Sequence, residues 1–167
     1  MNKKQELSYP TPKRGLPFEF KYDFAMRGYA NCLKGFFYVI REEFGAETAL
    51  RLYEKLCNMD DRIKNLTKTL LKIFKLTGND AETIGKVWNL WWELTGKEGT
   101  ILERSKTIDR TKITKCPWRT AFKDISDWGL IWCNIVAKTV NPKATVERPK
   151  AMCAGDPHCE YLYKVEE

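Results

Sequence analysis

Apolar residues recur every three or four positions through the first half of the chain, a period that predicts helices. Met26, Tyr29, Leu33, Phe36, Phe37, Ile40 and Phe44 share one helical face from about Phe20, with Gly45 as a stop. Ala49, Leu52, Leu56, Met59, Ile63, Leu66, Leu70 and Phe74 carry the same period to Gly78, as one long helix or as two in line with a break at Asn58–Asp61. Asn79 with Glu82 has the form of a capping box, and Ile84, Val87, Trp88, Trp91 and Leu94 make a third stripe ending at Gly96. Trp88, Trp91 and Trp92 read as core or dimer packing, with a ligand pocket as the alternative for one of them.

The pattern then changes. Residues 100–115, TILERSKTIDRTKITK, are rich in Thr and Ile and lack glycine and proline, which predicts two strands with a turn near Ser105–Lys106. Pro117 suits a first helical position, and Trp118, Phe122, Ile125, Trp128, Trp132, Ile135 and Val136 form a last amphipathic helix that stops before Asn141–Pro142. ATVERPKAM and CEYLYKVE, either side of Ala154–His158, predict a hairpin with Cys159, Tyr161, Tyr163 and Val165 on one face. The expected fold class is therefore α+β: N-terminal helices followed by a strand-pair, helix, strand-pair unit with a four-stranded antiparallel sheet. Residues 1–17 hold three prolines and no apolar period, and predict an irregular leader. Residues 18–167 then form a single α+β domain, with a helical half at 20–96 and a ββαββ half at 97–167.

The net charge of +7 lies partly in Lys3, Lys4, Lys13 and Arg14 and partly in Arg62, Lys64, Lys68, Lys72 and Lys75, the latter a solvated helix face. No nucleic-acid reading module and no interleaving of basic with exposed aromatic residues accompanies it, which argues against nucleic acid as a partner. No stretch approaches the roughly 20 apolar residues of a membrane span, and the start is too polar for a signal peptide, so the cytoplasm is the expected compartment. Thiols stay reduced there, and 167 residues bury a core without staples, so six cysteines need another account. The three apolar stripes exceed what one small sheet covers, which predicts a homodimer.

Cys116, Cys133, Cys153 and Cys159 fall in the C-terminal half at separations of 17, 20 and 6 positions. Cys116 precedes the expected helix start between Lys115 and Arg119, where a helix N-terminus and positive charge favour a thiolate. It is the leading nucleophile candidate, with simple helix capping as the alternative. The four thiols also form a candidate metal set for zinc or an iron–sulfur cluster, against which stand the absence of a CxxC knuckle and the frequency of buried, unligated cysteines. Cys32 and Cys57 read as packing residues. His158 is the only histidine, so any imidazole acid–base scheme must use it, with Asp127 or Asp156 orienting a base or a water. Asp156 equally suits a turn. Asp109, Arg110 and Lys112 either face solvent or line a cavity for a charged small molecule, with Trp132 as a further substrate contact.

CPW at 116–118, WCNIVAKTVNP at 132–142 and KAMCAGDPHCEYLY at 150–163 together resemble the 2-aminothiazoline-4-carboxylate hydrolases and the related 4-vinyl-reductase-type small-molecule-binding domains. The resemblance covers roughly residues 97–165, and GDPHCEYLY is its most specific element. Cys116, Cys133, Asp156 and Cys159 match the hydrolase-like pattern, whereas Cys153 agrees better with the vinyl-reductase-type one. The resemblance implies an α+β ligand-binding domain that pairs through its N-terminal helices and keeps its cysteines near a pocket. Two functions follow as expectations. One is a hydrolase of a small nitrogen- or sulfur-containing heterocycle or related C=N bond, using Cys116 as nucleophile or metal ligand, with Arg110 or Lys112 holding a carboxylate. The other is a non-catalytic sensor or carrier with an aromatic cavity.

Overall fold

The computed structural model describes residues 18–119 and 128–166. Four helices come first: α1 (Phe18–Phe44), α2 (Ala46–Asn58), α3 (Arg62–Ile73) and α4 (Ala81–Thr95). Gly45, at φ 84°, separates α1 from α2 with a backbone conformation that side chains resist. The expected break at 58–61 is a single 3-10 turn, Met59–Asp61, in which Asp61 is left-handed. Helix α4 is capped one residue later than the sequence suggests. Asp80, not Asn79, accepts the Thr83 backbone N–H at 2.8 Å, while the Asn79 carbonyl accepts from the Asn141 side chain at 2.6 Å. At its other end Gly96, at φ 65°, lets the Lys97 N–H reach the Trp92 carbonyl at 2.9 Å.

The second half holds β1 (Glu98–Arg104), β2 (Ile108–Lys115), α5 (Trp128–Val140), β3 (Thr145–Lys150) and β4 (Cys159–Lys164). The sheet runs β1-β2-β4-β3 with every neighbour antiparallel, as the α+β reading expected. Both edge strands slip register: β1 between Ile101 and Glu103, and β3 between Glu147 and Lys150. The last helix differs from expectation at its start. Pro117–Arg119 form a turn, and the described helix begins at Trp128. The argument that a helix N-terminus activates Cys116 therefore has no support among the described residues.

Period-two alternation sorts the two central strands into faces. Asp109, Thr111 and Ile113 of β2 stand opposite Tyr163, Tyr161 and Cys159 of β4, and all six are buried against helices. Ile84, Val87, Trp88 and Trp91 of α4 and Val136 of α5 complete this core, with Trp88 stacked on Tyr163 at 6.1 Å between centroids. The opposite sheet face carries ion pairs, among them Arg110 with Glu160 and Lys164 with Glu147. A second core joins the helical half to the sheet half: Phe37 and Ala49 pack with Trp118, Ala151 and Cys153.

One carboxylate lies on the buried inner face of the sheet. Asp109 is fully buried and pairs with Arg104, whose other nitrogen donates to Asn89 of α4 at 2.8 Å. Burial raises the Asp109 carboxyl above its ordinary value, and the Arg104 charge opposes that rise. Helix α4 comes so close here that a Cβ on Gly85 would fall inside the Asp109 carboxylate. Gly85→Ala should therefore destabilise the protein by roughly 1–3 kcal/mol, the usual range for overpacking. Urea unfolding checks this, and in an Asp109→Ala background the Gly85→Ala penalty should shrink, because the clashing atoms are gone.

Candidate functional site

Between the inner face of the sheet, α4, α5 and the segment after β2 lies a cavity of about 50 Å³. Its walls are aromatic: Trp88 from α4, Trp118 from the post-β2 turn, Trp132 from α5 and Tyr161 from β4. Trp132 reaches back to Trp91 with ring centroids 5.2 Å apart, so the wall continues the core packing. Trp118 meets Tyr29 of α1 edge-on at 6.0 Å. A second hollow beneath α1–α3, lined by Tyr29, Leu33, Tyr53, Cys57 and Ile63, shares Trp118 and Trp132 with the first.

Irregular backbone carries the polar side of the cavity. In β3, Glu147 pairs with Leu162 and Lys150 with Glu160, so Arg148 and Pro149 together oppose Tyr161 as a bulge. Pro149 has no N–H to donate, which an edge strand tolerates. Arg148, on the inner side of β3, holds its guanidinium over the Tyr161 ring at 6.0 Å and within the cavity wall. A 3-10 turn, Met152–Ala154, follows. Asp156 fixes it by accepting the Ala151 N–H at 2.7 Å, and the Met152 N–H points to the Cys159 sulfur at 3.2 Å. Asp156 therefore serves the turn.

The four C-terminal cysteines, Cys116, Cys133, Cys153 and Cys159, all line this cavity, as does Trp132. The other candidates lie elsewhere. Asp109 is held beneath α4 by Arg104, and Arg110 pairs with Glu160 on the outer sheet face. Lys112 shares that outer face, half-buried, so neither basic residue reaches the cavity wall. His158 sits 3.8 Å from the Glu160 carboxylate and is also absent from the wall. Asp127 lies outside the described residues. Among the described residues no group of three His, Cys, Asp or Glu side chains is disposed to hold a metal ion, so no step here is routed through one.

Two of the site's cations, Lys97 and Arg148, escaped the sequence reading, which named Arg119 beside Cys116. Lys97, just past the Gly96 cap, lies 5.9 Å from the Trp88 ring, and Arg119 and Arg148 complete the set. The available signal for Arg148 was alternation, since it shares a strand face with Val146. The thiols respond chiefly to burial. It pushes Cys133 up to about 11, against the opposing pull of Lys97 and Arg148. Burial likewise raises Cys153, opposed by Arg148, and Cys159, opposed by its Met152 N–H bond. These three are thiols at neutral pH, the poorer form for nucleophilic attack.

No protein-family model matches the chain, and no curated protein matches it by sequence. The hydrolase resemblance accordingly rests on its motifs alone. Among solved structures the chain is similar to the phenol-responsive sensory domain of the transcription activator PoxR, crystallised with phenol. The match has a TM-score of 0.60 at 13% identity and covers 81% of this chain and 73% of that one. At that identity the likeness shows a common fold.

The Cys133 shift predicts a pH dependence. Its folded value exceeds its ordinary 9.0, so the stability tied to the neutral thiol is full below about 9 and is lost as pH rises to about 11. At roughly 1.4 kcal/mol per pKa unit, that is a few kcal/mol of slope. Tyr161 and Tyr163, also raised by burial, add to it at the upper end. Cys133→Ala should flatten the slope between pH 9 and 11 in urea titrations, whereas Cys32→Ala, at an exposed site, should leave it unchanged.

Proposed function

We propose that this chain is a small-molecule-binding domain, a sensor or carrier, whose cavity takes a compact aromatic ligand. The observation that carries this reading is the enclosure itself: four aromatic side chains from four different segments converge on one interior space beside the sheet. The similar fold of a phenol-responsive sensory domain supports it. A second reading, a cysteine hydrolase acting on a small nitrogen- or sulfur-containing ring, draws on the convergence of Cys116, Cys133, Cys153 and Cys159 on the same space. The raised Cys133, Cys153 and Cys159 thiols and the position of His158 weigh against it.

The two separate experimentally. In the binding reading, at least one member of a panel of phenols, indoles and single-ring aromatic acids quenches tryptophan fluorescence and raises the melting temperature. Cys153→Leu, which fills part of the cavity, abolishes both responses at a stability cost of about 1–3 kcal/mol. In the hydrolase reading, the protein turns over 2-aminothiazoline-4-carboxylate, and Cys116→Ser stops it. Zinc or iron bound by the cysteines would appear as stoichiometric metal in anaerobically purified protein.

The partner we propose for the helical half is a second copy of the chain. Phe24, Phe36, Val39 and Phe44 of α1 are exposed, and Leu33, Phe36, Ile40, Leu52, Leu56 and Met59 line a nearly all-apolar groove between α1 and α2. Sedimentation equilibrium should show a dimer at micromolar concentration, and Phe36→Lys should shift it to monomer with the far-ultraviolet circular dichroism unchanged. Among the described residues no helix is long and apolar enough to cross a membrane.

A further inference from the structure

We propose that the cavity selects planar aromatic anions, an aromatic carboxylate above all, over neutral rings of the same shape. This rests on the binding reading above and adds the charge of the ligand. The polar groups of the wall are one-sided. Lys97, Arg119 and Arg148 contribute three cations, and no described residue of the wall is a carboxylate. The acids of the adjoining cleft are mostly engaged elsewhere: Asp23 pairs with Arg27, Glu98 pairs with Lys115, and only the exposed Glu93 adds to them.

Arg148 already meets the Tyr161 hydroxyl in the wall, and an aromatic carboxylate would bring to that contact a charge opposite to all three cations.

Two local features hold this arrangement in place. A Cβ on Gly129, in the first turn of α5, would stand 2.7 Å from an Arg148 guanidinium nitrogen, so the glycine leaves room for the cation. Arg148 lies on the inner side of β3 opposite Tyr161, where its charge also acts on Cys133, Cys153 and Cys159. A planar carboxylate matches a guanidinium fork.

Calorimetric titration with benzoate, benzamide and phenol at pH 7 tests the proposal. Benzoate should bind at least tenfold more tightly than benzamide, which has its shape without its charge. Lys97→Met and Arg148→Met should each bring benzoate close to the benzamide value and leave benzamide within twofold. If Arg148→Met fails to fold, Lys97→Met carries the test alone. Benzamide or phenol binding as tightly as benzoate, or a benzoate advantage that survives in every folded variant, overturns the anion preference and leaves the small-molecule reading standing. Binding of none of the three probes overturns the anion preference, and failure of the whole phenol, indole and aromatic-acid panel as well overturns the small-molecule reading.

Discussion

The close approach of α4 to β2 sets the geometry of everything downstream. It requires a residue without a side chain at Gly85, and it brings Asn89 and Arg104 together around a carboxylate that would otherwise be stranded in the core. Breaking a buried ion pair is costly because it leaves a charge uncompensated, so this contact fixes the helix's height and rotation on the sheet. Trp88, one turn beyond Gly85, is thereby laid on Tyr163, and the helix end delivers Thr95 and Lys97 to the cavity wall. A shift of α4 would move the aromatic floor and one of the three cations together.

The opposite wall is built by departures from regular structure. The β3 edge, the 3-10 turn held by Asp156 and the turn after β2 supply Arg148, Cys153, Cys116 and Trp118, and the first residue of β4 adds Cys159. Regular alternation from Glu147 already turns Arg148 to the inner face, and the extra residue, Pro149, then returns Lys150 to the outer face opposite Glu160. The site thus combines a rigid side, set by a packed helix, with a side whose shape depends on a few backbone hydrogen bonds.

Much of this fold was legible because its signals are local. Glycines at 45 and 96 do mark helix ends, the Thr- and Ile-rich run at 100–115 does form a strand pair, and Cys159, Tyr161 and Tyr163 do share a buried face. The capping residue was misplaced by one because Asn79–Glu82 and Asp80–Thr83 offer the same spacing. Asp109 was unreadable for a different reason. An Asp, Thr, Ile series on one strand face looks solvent-directed, and only a partner from β1 and a glycine on α4 make that face interior. Lys97 and Arg148 were missed because single basic residues in loops and edges resemble ordinary surface, whereas the cysteines drew notice by their rarity. The expected helix start at Pro117 failed because proline favours turns as readily as first helical positions.

The register slips in β1 and β3 reach beyond the cavity. A four-stranded open sheet exposes two rows of unpaired backbone groups, each a template on which another chain can add a strand. Here both margins are interrupted, one by the irregularity at Ile101–Glu103 and the other by a bulge containing a proline. Both margins are thereby poor templates for strand-to-strand growth, so the irregularities at the sheet's edges also guard the molecule against fibrillar polymerisation.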